Sequence, residues 1–145
     1  MDLGIELSIQ GITPSLGTVY YFKNSEHGEN SNPHYHVAIP TIDGGYVLLV
    51  MFTSQVEKKK EYYTRTNQKA FDSLVFVNAT DFCFLTKESV IDCNNPIYKT
   101  SEELGAIIHN LEFKDADLTQ EFIDDIVKAI KTSPIARPQI KRALA

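Results

Sequence analysis

The stretch "YVLLVMF", Tyr46 to Phe52, has no polar face to give to solvent. An apolar run of seven residues fits a central strand covered on both sides, or a short helix. Its β-branched and aromatic content and the Asp43-Gly44-Gly45 turn signal ahead of it favour the strand. On that reading Leu48 and Val50 are both buried.

Short segments on either side suit partners for it. "TVYYF" (Thr18 to Phe22) and "HYHVAI" (from His34) are rich in β-formers. "SLVFVNA", "FCFL" and "SVIDC" read as further strands, and "IELSIQ" alternates like a half-buried one. After Asn94 the character changes. Thr100 precedes Glu103 by three residues, a capping-box pattern, and Leu104, Ile107, Ile108 and Leu111 follow. Phe122, Ile123, Ile126, Val127 and Ile130 lie on one helical stripe, with acids early, lysines late and Pro134 beyond the end. Short strands followed by helices predict an α+β fold: a small antiparallel sheet or barrel over about residues 17–99, then helices over about 100–145. The chain reads as a single domain over 1–145.

Bulk properties exclude some classes. The chain is 43% hydrophobic and 23% charged, enough to bury a core. No apolar run is long enough to span a membrane. "MDLGIELSIQ" lacks the basic and apolar regions of a signal peptide, so a cytoplasmic location is expected. Cys83 and Cys93 form no zinc-spaced set and read as core residues, and His109 reads as late in a helix. A net charge of −5 argues against a dedicated nucleic-acid binder, although a local patch can still bind phosphate. Such a patch exists in "SQVEKKKEYYTRTNQK", from Ser54 to Lys69. Its plain reading is a solvated loop.

His34 and His36 alternate onto one strand face, opposite Tyr35, Val37 and Ile39, the better core face. A two-residue turn at Asp43-Gly44 sets His34 opposite Thr53, one at Gly44-Gly45 sets His36 there, and a three-residue turn brings His34 to Ser54. Imidazole, hydroxyl and the basic segment thus converge at one end of the hairpin. The plain alternative is a pair of solvated polar residues. His-x-His is also a metal-ligand spacing; with no third ligand nearby in sequence, no metal and no cofactor is assigned.

The order of these segments resembles the MazF/PemK-type toxins, SH3-like barrels of bacterial toxin–antitoxin systems. "LGTVYYF" is similar to the family's opening strand, "SNPHYHVAI" to its proline-led second strand at Pro33, and "VLLVMFTS" to its apolar strand ending in Thr53-Ser54. "FCFLTKESVIDCN" matches most closely, over Leu85 to Asn94, and "TSEELGAII" would be the closing helix. The match runs from Gly17 to Ile108. Asn32 stands where the family has an arginine that is commonly catalytic.

The resemblance implies a cytoplasmic, metal-independent endoribonuclease with an RNA substrate, an antitoxin protein as partner, and a homodimer. Such cleavage needs a base for the 2′-hydroxyl, a donor for the phosphate and an acid for the leaving oxygen. Histidine suits both proton roles. The assignment is His36 as base, His34 as acid and Thr53 as donor to a phosphate oxygen. Ser54, Lys58, Lys59, Lys60 and Arg65 would hold the RNA backbone, and Tyr62 or Tyr63 would stack on a base. The competing readings are a non-catalytic SH3-like protein-interaction module, favoured by the acidic charge and by Asn32, and a structural subunit that pairs through a sheet edge.

Overall fold

The structure, a computed structural model, describes residues 18–22, 34–52, 55–82, 85–108, 112–114 and 118–144. Its elements in chain order are β1 (Thr18–Phe22), β2 (His34–Pro40), β3 (Tyr46–Phe52), α1 (Val56–Thr66), α2 (Gln68–Phe71), β4 (Leu74–Val77), β5 (Ser89–Asp92), β6 (Ile97–Lys99), α3 (Ser101–Ile108), β7 (Glu112–Lys114), α4 (Gln120–Thr132) and α5 (Pro138–Ala143). The fold is α+β. One antiparallel sheet runs in the order β4-β5-β3-β2-β1-β7, and β6 shares an edge of β3 with β5. Among the described residues no ladder joins β4 to β7.

The apolar run is a central strand, as expected: Leu48 is 1% and Val50 6% exposed. Both faces of the sheet are covered. Val37, Leu49 and Ile91 pack against Ile126 and Ile130 of α4 and Ile140 of α5. On the opposite face, Tyr20, Ala38 and Leu48 meet Leu104 of α3, while Leu74 and Val90 meet Val56 and Tyr63 of α1. The α4 stripe is the expected one, and Thr119 caps it by accepting from the Phe122 N–H at 3.1 Å. The Thr100–Glu103 capping box forms in both directions, at 2.9 and 3.1 Å.

Several expectations need correction. Helices α1 and α2 interrupt the region read as sheet, and β7 lies in the region read as helical, paired with β1. The basic segment is therefore a helix, not a loop. Its Glu and Lys residues are good helix formers, and Glu57–Lys60 (3.5 Å) and Glu61–Arg65 (3.7 Å) pair along its surface. Its apolar stripe is narrow, with Val56 and Tyr63 its buried residues. Phe82 lies in a bend and Leu85 outside any strand, so those residues of "FCFL" are not strand. "IELSIQ", Cys83 and His109 lie outside the described residues.

The hairpin register also differs. Tyr35 pairs with Met51, His36 with Val50 and Pro40 with Tyr46, so Thr41–Gly45 form a longer connection than a two- or three-residue turn. Asp43 organises that connection, its carboxylate accepting from the Thr41 hydroxyl and from the Gly45 N–H at 3.2 Å. Gly44 takes φ +87°, a region L side chains rarely adopt.

Candidate functional site

Register decides which side chains can meet. Phe52 pairs with Val90 on β5, and Leu74 with Asp92, so Phe52, Val90 and Asp92 lie on one face of the sheet. Helix α1 packs on that face through Val56 and Tyr63. Lys59 and Tyr63 are four residues apart and so emerge on the same side of α1. Both reach Asp92.

Asp92 is 3% exposed and is the hub of the site. Its Oδ2 accepts from Lys59 Nζ at 3.1 Å, the Tyr63 hydroxyl at 2.8 Å and Asn95 Nδ2 at 3.0 Å. Its Oδ1 accepts from the backbone N–H and the side-chain Nδ2 of Asn94, both at 3.0 Å. A buried carboxylate is tolerable only when paired and hydrogen-bonded in this way. Asn94 carries the network onward: its Nδ2 also donates to the Ala70 carbonyl at 2.8 Å, and its Oδ1 accepts from the Ser133 hydroxyl at 2.6 Å. The first helix, the end of β5 and the loop after α4 are thereby locked together. Burial, then the bond to Asp92, pushes the Tyr63 phenol well above its ordinary range, so it stays a neutral donor. Burial likewise pushes the Cys93 thiol up, which keeps it protonated and unreactive.

Lys59 does more than pair with Asp92. Its Nζ lies 4.7 Å from the centre of the Phe52 ring, a cation–π distance, and its side chain is 23% exposed. The half-buried His34 ring meets the same Phe52 edge-on, with centroids 5.2 Å apart. One aromatic ring therefore carries an imidazole and an ammonium group, both with access to solvent.

The sequence-derived candidates separate into groups. His34 and Lys59 come together as described. His36 does not join them: it is fully buried, and its Nδ1 lies 2.9 Å from the His34 carbonyl. The expectation of two solvent-facing histidines is corrected, because β2 is an interior strand whose two faces are both covered. His36 faces Val50 rather than Thr53. Thr53 and Ser54 lie outside the described residues. Lys58 is exposed on α1; Lys60 lies 5.1 Å from the centre of the Phe76 ring, away from Phe52. Arg65 pairs with Glu61, and Tyr62 is 51% exposed and edge-on to Tyr63.

Sequence reasoning missed Asp92, Asn94 and Asn95. The signal was present: polar residues crowd the end of an apolar strand in "SVIDCNN". Among the described residues no group of three or more His, Cys, Asp or Glu gathers as a metal set, and no helix is long and apolar enough to cross a membrane. Compared with known proteins, the chain matches no family model and no curated protein.

Proposed function

We propose that this protein is a toxin-like, metal-independent endoribonuclease acting at the Phe52 ring. The observation that carries the reading is the pair His34 and Lys59 on that one ring. In this mechanism the neutral His34 imidazole takes the proton of a ribose 2′-hydroxyl. The 2′-oxygen attacks phosphorus, the bond to the 5′-oxygen breaks, and the leaving oxygen takes a proton from solvent water. The products are a 2′,3′-cyclic phosphate and a 5′-hydroxyl. Lys59 carries part of the charge that grows on the phosphate oxygens, and Asp92 holds its ammonium group against the ring. Lys58, Lys60 and Arg65 on α1 bind the RNA backbone, and the exposed Tyr62 offers a stacking surface. Thr53 keeps its role as donor to a phosphate oxygen and Ser54 its role in holding the RNA backbone, whereas the base role assigned to His36 passes to His34.

The finer fold belongs to the same proposal: an SH3-like barrel, supported by the short antiparallel strands and by β1, β2 and β3 lying side by side in one sheet. So do the cytoplasmic location, the antitoxin partner and the homodimer, which rest on the resemblance alone. A second reading, the non-catalytic interaction module, is favoured by the complete burial of His36, which removes half of the histidine pair.

The test is purified protein on a mixed-sequence RNA with metals chelated. His34→Ala is expected to lower cleavage by ~10²–10⁴-fold at an unchanged melting temperature. A parent protein that does not cleave hands the chain to the interaction-module reading.

A further inference from the structure

Away from the Phe52 ring, a cleft of about 860 Å³ opens between the Thr41–Gly45 connection, the segment from Asn94 to Tyr98, and α5. That volume lies within the span of small-molecule sites. Ile97, Ile135 and Ile140 give it an apolar surface, and Ile135 is 43% exposed. Asp43, Asn95, Arg137 and Gln139 add polar groups of several kinds to the same lining.

The lining is held in place before any ligand arrives. Asn94, on the cleft, has its amide fully committed to Ala70, Asp92 and Ser133. Asp43 is fixed by the Thr41 hydroxyl, the Gly45 N–H and the Tyr98 hydroxyl, the last at 3.0 Å. These bonds, the Thr41 one first, hold its carboxyl below the usual range, so it is an anion at neutral pH. The Asn95 nitrogen is spent on Tyr63 and Asp92, which leaves its oxygen as an acceptor. Among the described residues Arg137 enters no ion pair, with Asp43 or any other acid. A fixed anion and an unpaired cation thus line one partly apolar cleft.

This combination narrows the ligand. The guanidinium asks for an anion, which it can bind in bidentate fashion. The carboxylate asks for a donor. The two side-chain amides suit the edge of a planar polar ring, and the isoleucines suit its faces. A fatty acid would satisfy Arg137 and the isoleucines but leave Asp43 and the amides facing an apolar chain, at a cost in affinity. We propose that this cleft binds a nucleoside monophosphate, with its phosphate on Arg137, a hydroxyl or amino group donating to Asp43, and its base against the isoleucines with one edge at Asn95 and Gln139. The proposal does not rest on the ribonuclease reading, since it uses neither His34 nor Lys59.

The test titrates the four common nucleoside monophosphates, their nucleosides and inorganic phosphate into the full chain, with heat and backbone amide shifts as readouts. At least one monophosphate is expected to bind saturably, with shifts over 94–98 and 135–143. Arg137→Gln should weaken it by ~10–100-fold, and the matching nucleoside should lose as much on the parent protein. Asp43→Asn should weaken the nucleotide and leave inorganic phosphate unchanged. Both variants are checked by thermal melting, and Arg137, exposed at its position, is the one that leaves the fold intact. Saturation by no nucleotide, full affinity in a folded Arg137→Gln, or inorganic phosphate binding as tightly as the nucleotides would each overturn the proposal. A protein that binds the nucleotide and leaves RNA intact would refute the ribonuclease reading and support this one.

Discussion

Replacing Asp92 with alanine removes one acceptor that five hydrogen bonds share. The consequences differ by donor. Lys59 is partly exposed, so its ammonium group turns to water at small cost. Asn94 Nδ2 keeps its bond to the Ala70 carbonyl. The Tyr63 hydroxyl and the Asn94 backbone N–H are buried and lose their acceptor outright. Each such loss costs about 1–3 kcal/mol. The two together give Asp92→Ala a cost of about 2–6 kcal/mol, a large share of the ~5–15 kcal/mol that holds a domain together. At ~2–4 °C per kcal/mol for a chain of this size, the melting temperature should fall by about 10 °C. Urea unfolding of the parent, Asp92→Ala, Lys59→Met and the double variant measures both the loss and the coupling. The double variant should lie close to Asp92→Ala, because the freed ammonium group is solvated and the deficit comes from the two buried donors. A loss below ~1 kcal/mol in Asp92→Ala would refute the idea that this carboxylate organises the site.

Three other outcomes follow from the packing and the titrating groups. Leu48→Ala should cost ~2–5 kcal/mol in a urea titration, since Leu48 is buried between β2, β6 and α3. Tyr63 has its folded pKa raised above the unfolded value, so its contribution is complete below pH ~10 and is lost as pH rises beyond that. Tyr63→Phe should flatten the alkaline side of the stability profile. For Glu103 the sign is opposite: the Thr100 N–H and hydroxyl hold its carboxyl low, so its contribution is present above its unfolded value and fades as pH falls through the folded one. Glu103→Gln should therefore blunt the acid-side loss of thermal stability.

The parts legible in the sequence are those whose signal is local. A seven-residue run with no polar face, rich in β-branched and aromatic residues and preceded by a turn signal, pointed to a covered strand over a short helix. The Thr100–Glu103 box and the α4 stripe announced their helices through spacing alone. Helix α1 was hidden because its apolar stripe holds two buried residues, Val56 and Tyr63, too few to stand out from a basic surface run. His36 misled because alternation tells which residues share a face, not whether a helix covers it. The hairpin register turned on Asp43 closing a longer connection, which a Gly-Gly dipeptide does not disclose. Asp92 was the hardest to read. Its partners Lys59 and Tyr63 lie about thirty residues earlier, and only the packing of α1 on β5 brings them to it.

The proposed reaction, in which His34 and Lys59 gathered on Phe52 cleave RNA through its 2′-hydroxyl, leaves its signature in the chemistry of the new RNA ends. Mass spectrometry of fragments made with metals chelated should find 2′,3′-cyclic phosphates and 5′-hydroxyls, and His34→Ala should lower both by ~10²–10⁴-fold at an unchanged melting temperature. Fragments ending in 3′-hydroxyls and 5′-phosphates, or cyclic ends formed at the parent rate by the folded His34→Ala variant, would contradict it.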